Sequence, residues 1–187
     1  MSFLTAPVLD AFTRADGALG ANWTLDVQTL EIEGNRVKAH EAGEAEAHWS
    51  AAILPADQEA YVTRAVLGNE DAVYVRRAAG TRTAYLVVTA ASAVQLFKVT
   101  AGLFTGLTET KVTWSAGDVM GIQVIGTKLH AFRQVKGEGV PVQLLEHEDG
   151  EITGAGFAGI GTTGTVGRLD NFGAGAVGEP GLLGMVV

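Results

Sequence analysis

Oxygen-bearing side chains that could hold a hard cation stand near both ends of the chain. Asp10, Asp16 and Asn22 lie in the first segment, and Asp170 and Asn171 lie in the last. Ca²⁺ binds about six to eight such oxygens, including backbone carbonyls. If the two ends of the chain meet in the fold, these residues are candidate Ca²⁺ ligands. Turn caps and contacts between paired strands account for the same residues, and this alternative stays open.

Two tryptophans are candidates for carbohydrate binding. An exposed indole at Trp49 or Trp114 would offer a flat apolar face on which a sugar ring can stack. Both residues also fall within runs that read as β-strands, where a tryptophan can equally pack in the core. The sequence therefore leaves two interpretations for each ring, a binding platform and a core side chain.

Paired carboxylates raise the question of glycoside hydrolysis. A retaining glycosidase needs two carboxylates about 5 Å apart in a groove. The acidic stretch 146–151 ends in a glycine turn and its acids do not alternate, while Glu31 and Glu33 alternate without a third acid. Aromatic residues make up 7% of the sequence, which is thin for a long saccharide cleft. We expect a solvated loop at 146–151 and no enzymatic activity.

Glycine patterns and histidines give no further site. Residues 154–159 and 159–164 both spell GxGxxG, but a dinucleotide fold requires a helix directly afterwards, and the following residues read as loop and strand. The pattern predicts a closely packed strand of small residues instead. The four histidines lack the spacing of metal ligands. They are His40, His48, His130 and His147.

Composition limits the classes of function. The 187 residues suit one domain, and 47% apolar with 18% charged residues is a globular composition. A formal net charge of −8 disfavours nucleic-acid partners and anionic lipid surfaces. The absence of cysteine excludes disulfides and thiolate metal sites. The start of the chain has no signal-peptide pattern, and no apolar run approaches the roughly 20 residues of a membrane helix.

The elements that must position these residues are short strands. Alternating apolar residues recur between turn signals about 8–12 residues apart, which is typical of a β-sandwich or barrel. No stretch has a helical period, and the Glu- and Ala-rich residues 41–47 are expected to form a solvated loop rather than a helical turn. The predicted strands cover residues 23–27, 30–33, 48–54, 60–67, 73–77, 83–88, 94–100, 103–107, 111–114, 119–125, 128–134, 140–146, 152–160 and 168–172.

Motifs at the two ends resemble a known family. Residues 10–23 read Asp-x-Phe-x-Arg-x-Asp-Gly-x-Leu-Gly-x-x-Trp, and residues 167–175 read Gly-Arg-Leu-Asp-Asn-Phe-x-Ala-Gly. This pair resembles the start and end of concanavalin A-like (laminin-G-like) jelly-roll domains of bacteriophage virion proteins, over residues 7–175. The resemblance implies an all-β jelly-roll sandwich of two antiparallel sheets whose first and last strands are adjacent.

Adjacent terminal strands carry further expectations. Phe12, Trp23 and Phe172 would share one patch of the core, and Arg14 would pair with Asp170 across the two strands. The sandwich is expected to cover residues 1–175. The glycine-rich residues 176–187, with an apolar end, are expected to form a tail that frays or docks on a neighbouring subunit.

The resemblance also implies a function. It favours a non-enzymatic virion protein, a minor tail or capsid decoration protein made in the host cytoplasm. Such a protein would act through contacts with other virion proteins and as a homo-oligomer, for which we expect a trimer. The alternative is a carbohydrate-binding module that recognises a host-surface glycan. Laminin-G-like domains often hold Ca²⁺, so this binding could depend on calcium.

Overall fold

The structure, a computed structural model, describes residues 5–90 and 92–177. These residues form sixteen β-strands, and within them no helix is long and apolar enough to cross a bilayer. The strands are β1 (Val8–Asp10), β2 (Gly17–Ala18), β3 (Trp23–Val27), β4 (Leu30–Ile32), β5 (Val37–Ala39), β6 (Glu44–Trp49), β7 (Gln58–Val66), β8 (Glu70–Arg77), β9 (Ala84–Thr89), β10 (Ala93–Thr100), β11 (Leu103–Lys111), β12 (Val119–Ile125), β13 (Lys128–Gln134), β14 (Val142–Glu148), β15 (Phe157–Thr163) and β16 (Arg168–Ala176).

The strands build two antiparallel sheets that pack face to face. The nine-stranded sheet has the order β14-β13-β12-β7-β16-β5-β4-β2, with β1 also paired to β16. The seven-stranded sheet has the order β11-β10-β9-β8-β15-β6-β3. Neighbours such as β7 and β16 are far apart in sequence, so each sheet joins both halves of the chain. The prediction of an all-β jelly-roll sandwich is confirmed.

The core lies between the sheets and is built mainly from every second residue of the central strands. Met120, Ile122 and Val124 of β12 face inward and are fully buried, as are Val73 and Val75 of β8. Burying one such side chain contributes about 1.5–3 kcal/mol, so a slip of one residue would be costly in every strand. The alternation therefore fixes which residues of each strand face outward.

The two ends of the sandwich meet as predicted. β1 pairs with β16, and Asp10 lies opposite Phe172. The Trp23 ring centroid is 5.9 Å from that of Phe12 and 5.0 Å from that of Phe172. All three rings belong to the main core. The predicted aromatic patch is confirmed.

The predicted ion pair between Arg14 and Asp170 is wrong. The Arg14 guanidinium instead pairs with Asp10, with Nη1 to Oδ1 at 2.7 Å and Nη2 to Oδ2 at 2.9 Å, and it also donates to the carbonyl of Leu19. Asp10 lies only four residues from Arg14, so this pair closes a local turn. Asp170 accepts the backbone N–H of Asn171 at 2.8 Å.

The loop predicted at residues 41–47 is wrong from Glu44 onward, where β6 begins, and right for residues 41–43. Glu and Ala both have low β propensity, so the local sequence does not predict a strand here. Ala45 and Ala47 nevertheless face the core and are fully buried, while Glu46 points to the outer face of the sheet. Because its inward residues are small and its outward residues are polar, β6 fits the two-layer sandwich without any β-branched side chain.

Other strand boundaries differ from the predictions. The strand expected at 103–107 extends through to Lys111 as β11, and residues 112–114 of the strand expected at 111–114 are not in a strand. The strand expected at 48–54 is reduced beyond β6 to an isolated bridge between Leu54 and Gly156. β16 extends to Ala176, and the N–H of Val177 donates to the carbonyl of Asp57. Residues 178–187 of the predicted tail lie outside the described residues.

Candidate functional site

The outer face of the seven-stranded sheet carries a second apolar cluster. Alternate residues of β8, β9 and β10 point away from the main core, and several of them are nonetheless buried. The Arg77 guanidinium lies over one of the rings, Tyr74, at 5.6 Å from its centroid. The buried members are Tyr74, Ala84, Leu86 and Val99, with Ala72, Val88 and Phe97 half-buried against them.

A cleft of about 110 Å³ opens on this face. Its apolar lining comes from Ala72, Leu86, Val88, Phe97 and Phe104, and the Phe104 side chain is 43% exposed. An apolar floor, an accessible aromatic ring and a few polar groups are the usual features of a small-molecule site. The polar and small residues that complete the lining are Glu44, Glu46, Glu70, Asp71, Gln95, Gly161, Thr162 and Thr163.

Two glycines of β15 allow larger side chains to lie flat on the sheet. A Cβ at Gly161 would lie 3.1 Å from Cγ of Glu46, and a Cβ at Gly159 would lie 2.4 Å from the ring of Tyr74. The second distance is shorter than any normal contact, so an alanine at 159 would force the tyrosine ring to move. The closely packed strand of small residues predicted here is confirmed.

Arg82, in the loop between β8 and β9, reaches across the cleft. Its Nε and Nη2 atoms donate to the two carboxylate oxygens of Glu46 at 3.1 Å and 2.8 Å, and Nη2 also donates to Glu44. The same guanidinium lies 4.6 Å from the ring centroid of Phe104. Four strands separate β6 from β11, which is about 24 Å across a flat sheet. One side chain touches both, so the sheet curls into a trough around the cleft.

Burial and ion pairing act in opposite directions on these groups. Glu46 is 2% exposed, and its burial raises the pKa of its carboxyl group although Arg82 opposes the shift. Burial lowers the pKa of Arg82, but the hydrogen bonds that Arg82 donates to Glu46 and Glu44 outweigh burial and raise this pKa above its ordinary value. The bidentate contact therefore holds Arg82 as a cation and Glu46 as its carboxylate partner.

A charged network extends from the cleft to the edge strand β3. The Asp26 carboxylate pairs with Nη2 of Arg77 at 2.7 Å and accepts a hydrogen bond from the Tyr74 hydroxyl at 3.1 Å. His48 Nδ1 lies 2.9 Å from the same carboxylate. Nη1 of Arg77 lies 3.9 Å from Glu46. Charges of alternating sign thus continue from Arg82 to the edge of the sheet, and they hold Glu46 in place from both sides.

Trp114, one of the two candidate sugar platforms, is placed in the core. The side chain is 4% exposed, and the guanidinium groups of Arg64 and Arg133 lie 5.1 Å and 5.5 Å from its ring. Its indole N–H donates to the carbonyl of Ala93. The core interpretation holds at this position, since no face of the ring is open to a ligand.

Trp49 is half-buried rather than exposed. Its ring packs edge-on against Trp23, with 5.5 Å between centroids, and it rests on the main core. It does not line the cleft. A sugar platform at Trp49 therefore stays a prediction, separate from the cleft on the outer face.

The structure does not gather the predicted calcium ligands into one coordination shell. Asp10 accepts from Arg14, from the indole N–H of Trp23 at 2.8 Å and from the N–H of Phe12 at 2.8 Å. Burial alone would raise the pKa of Asp10, but these hydrogen bonds outweigh burial and lower it. A guanidinium group therefore already occupies the position that a cation would take beside Asp10.

The other candidates lie apart and have local roles. Asp16 directly precedes β2, which is separated from β16 by two strands, about 14 Å, and it accepts the N–H of Gly34. Burial raises the pKa of Asp170, which accepts from Asn171. The Asn22 carbonyl accepts the N–H of Ser50. In the described ranges 5–90 and 92–177, no three His, Asp or Glu side chains are grouped to hold a metal ion.

The acidic stretch 146–151 is partly strand. β14 continues to Glu148, so the loop expectation fails for the first three residues. Asp149 then binds Nζ of Lys98 at 2.7 Å and the hydroxyl of Tyr85 at 2.6 Å. These contacts fix the loop that follows β14.

Sequence patterns did not single out Glu44, Glu46 and Phe104, which line the cleft, or Arg82, which contacts all three. A period-two signal was present, because Glu44 and Glu46 alternate with two alanines. Nothing in the local sequence indicates that Arg82 and Phe104 approach β6, because that contact depends on the curl of the sheet.

Comparison with known proteins supports the fold. No protein family model and no curated protein matches the chain. Among solved structures, it is similar to the carbohydrate binding module CBM66 from Bacillus subtilis, at 14% identity and a TM-score of 0.67, over 85% of this chain and 98% of that one.

Two lectin structures are also similar. The Ca²⁺/Man-bound exoplasmic/lumenal domain of VIP36 has 9% identity and a TM-score of 0.63 over 83% of each chain. A legume lectin-like domain from Entamoeba histolytica has 13% identity and a TM-score of 0.59, over 92% of this chain and 100% of that one. At these identities the comparisons establish a concanavalin A-like sandwich and do not assign a ligand.

Proposed function

We propose that this chain is a carbohydrate-binding module whose ligand lies in the cleft on the outer face of the seven-stranded sheet. One observation carries the proposal: the cleft joins the exposed ring of Phe104 and an apolar floor to the carboxylates of Glu44 and Glu46. Sugars present an apolar ring face and a rim of hydroxyl donors, so they need both kinds of surface. The similar module CBM66 and the mannose-bound VIP36 domain support this reading.

The two walls of the cleft would contact different parts of a sugar. The ring of Phe104 offers a face or edge to the apolar side of a sugar, and it is held against Phe97 at 6.1 Å between centroids. The carboxylates of Glu44 and Glu46 accept hydroxyl hydrogen bonds while Arg82 fixes their positions. A site held by such ion pairs before the ligand arrives loses little side-chain entropy on binding.

The test begins with a glycan array, followed by calorimetric titration of the tightest ligand. We expect Phe104→Ala to weaken binding about three- to tenfold, since an aromatic contact contributes roughly 0.5–1.5 kcal/mol. Leu103→Ala is the matched control, because Leu103 precedes Phe104 in β11, is 76% exposed and does not line the cleft. Equal effects of the two substitutions would contradict the assignment, as would an array with no bound glycan.

Calcium enters the same experiment as a separate arm. The predicted ligands Asp10, Asp16, Asp170 and Asn171 do not fit one coordination shell, so the proposed binding in the cleft does not use Ca²⁺. Titrations with added Ca²⁺ and with a chelator decide the question for the whole chain. A loss of binding on chelation would assign the ion a role at residues other than these four.

The virion role stands as a second proposal, supported by the resemblance of residues 10–23 and 167–175. A minor tail or capsid decoration protein with a glycan-binding cleft would combine both functions. Protein identification in purified phage particles, with imaging by electron microscopy, tests it. A chain absent from the particles contradicts the role, and a chain present in copies related by a three-fold axis supports the expected trimer.

A further inference from the structure

The charge of the cleft indicates which class of saccharide it takes. Three glutamates line it, Glu44, Glu46 and Glu70, and among the described residues no lysine, arginine or histidine is part of the lining. The buried Asp71 also reaches the cleft, but Arg64 and Thr162 bind its two oxygens from inside the sandwich. On the outer face, Arg82 contacts Glu44 and Glu46, and Arg77 lies 3.9 Å from Glu46 but pairs more closely with Asp26, at 2.7 Å.

Arg82 does not neutralise the cleft. Its guanidinium makes a bidentate contact with Glu46, which leaves Glu44 with a shared hydrogen bond and no cation of its own. Glu70 is exposed, and in the described part of the chain its carboxylate has no hydrogen-bond or ion-pair partner. Glu44 and Glu70 therefore supply an excess of negative charge at the mouth of the cleft.

The adjoining surface adds to this charge. A second depression shares Gln95 and Phe97 with the cleft and is lined by Glu109. The side-chain amide of Gln95 donates to Glu109, and among residues 5–90 and 92–177 no ion pair neutralises that carboxylate. Low-dielectric walls focus such a field, which favours cationic ligands and repels anionic ones.

We propose that the cleft prefers a saccharide with a free amino group, such as a 2-amino-2-deoxyhexose, over the matching neutral sugar, and that it rejects uronates and sulfated sugars. The inference rests on the proposed function, since it concerns the ligand of the same cleft. An ammonium group at the position of Glu70 and Glu44 would gain a charge-assisted hydrogen bond, while an N-acetyl or hydroxyl group would gain a neutral one. A carboxylate or sulfate would face three glutamates.

The experiment uses the full chain on an array of matched saccharides that differ at one substituent. Each set holds the amino, N-acetyl and hydroxyl forms at C2, in the glucose and galactose series and in both anomeric linkages, with uronate and sulfated members. Binding is measured at slightly acid pH, where the sugar amine is protonated. We expect the amino form to bind about two- to fivefold more tightly than its neutral partners, with the preference shrinking as salt is added.

Two variants locate the preference. Glu70→Gln should lower the ratio of amino to neutral affinity toward one, while binding of the neutral form stays the same. Glu138→Gln is the matched control, because Glu138 is exposed in the turn between β13 and β14 of the other sheet, and it should leave the ratio unchanged. Both side chains are exposed, so neither change is expected to unfold the protein.

The outcomes separate the two proposals. Glycans bound with equal affinity in the amino and neutral forms, or bound best as uronates, overturn the amino-sugar preference and leave the carbohydrate-binding function standing. Binding only to glycans outside the matched sets would likewise overturn the amino-sugar preference and leave the carbohydrate-binding function standing. An array without any bound glycan removes both proposals.

Discussion

At the scale of single residues, the cleft depends on a buried carboxylate that needs its partner. Glu46 is buried and held by Arg82 from one side and Arg77 from the other. Removing one partner of a buried pair leaves an uncompensated charge, which costs more than the pair contributes. Ion pairs therefore fix the side-chain arrangement on the outer face of this sheet, although this face lies outside the main core.

We expect Arg82→Met to lower the free energy of unfolding by about 2 kcal/mol, because Glu46 loses its bidentate donor. Urea denaturation measures the change. Glu46→Gln in the same background should recover part of the loss, since the uncompensated charge disappears. Arg36→Met is the control, because Arg36 is exposed and makes no ion pair within the described residues. A cost equal to that of Arg82→Met would contradict this account.

Asp149 makes the stability of the fold depend on pH, and the direction of this dependence follows from its pKa. Burial raises its pKa, but hydrogen bonds from Lys98 and Tyr85 lower it from 3.8 to about 2. A carboxyl group with a lowered folded pKa contributes stability above its unfolded pKa and loses that contribution as the pH falls through the folded value. The contribution is therefore complete above about pH 5 and lost near pH 2.

We expect Asp149→Asn to cost about 1 kcal/mol at neutral pH, after allowance for solvent around the pair, and almost nothing near pH 2. Thermal or urea unfolding across this pH range measures the difference. Lys98→Met should flatten the same pH profile, because Lys98 is the partner that lowers the pKa. A cost for Asp149→Asn that is constant with pH would contradict the assignment.

At the scale of elements, regular alternation determined how well each strand was predicted. β12 and β13 were predicted with their observed bounds, because apolar residues alternate throughout and glycine-containing turns flank them. β6 was missed because alanine fills its inward positions, so the alternation is between small and charged residues. β1 and β2 are short, and their pairing depends on distant strands that no local pattern reveals.

The loops at one end of the sandwich are joined by Arg76 of β8. Its guanidinium donates to the carbonyls of Ala56 at 2.7 Å, Ile152 at 2.6 Å and Gly126 at 2.8 Å, which belong to three different connections. Its backbone has φ of 52°, a left-handed conformation at which the strand bulges. Three charge-assisted hydrogen bonds to carbonyls repay that strain.

We expect Arg76→Lys to lower the free energy of unfolding by about 2–3 kcal/mol, because an ammonium group cannot span all three carbonyls. Arg36→Lys, on the exposed turn after β4, is the matched control and should change stability by less than about 0.5 kcal/mol. Urea denaturation compares the two. A loss no larger at residue 76 than at residue 36 would show that the three loops do not depend on this side chain.

At the scale of the whole molecule, the sandwich is closed by the pairing of its ends. Residues at both ends carry specific motifs, so this part of the fold was predictable from the sequence through resemblance. The cleft was not, because Arg82 and Phe104 meet β6 only through the curl of the sheet. Tertiary curvature depends on many side chains at once and leaves no periodic signal.

We expect Phe172→Ala to cost about 3–5 kcal/mol, because a fully buried ring that joins β16 to Trp23 would leave a cavity. Phe104→Ala is the matched control, with the same change at an exposed ring, and should cost less than about 1 kcal/mol. Equal costs in chemical denaturation would mean that the meeting of the two ends does not hold the sandwich together.

The most direct test of the central claim is a crystal structure of the chain with the tightest ligand from the glycan array. We predict electron density for a sugar ring in the cleft, in contact with Phe104 and hydrogen-bonded to Glu44 or Glu46. A glycan bound on the nine-stranded sheet or beside Trp49, with the cleft unchanged, would contradict the claim.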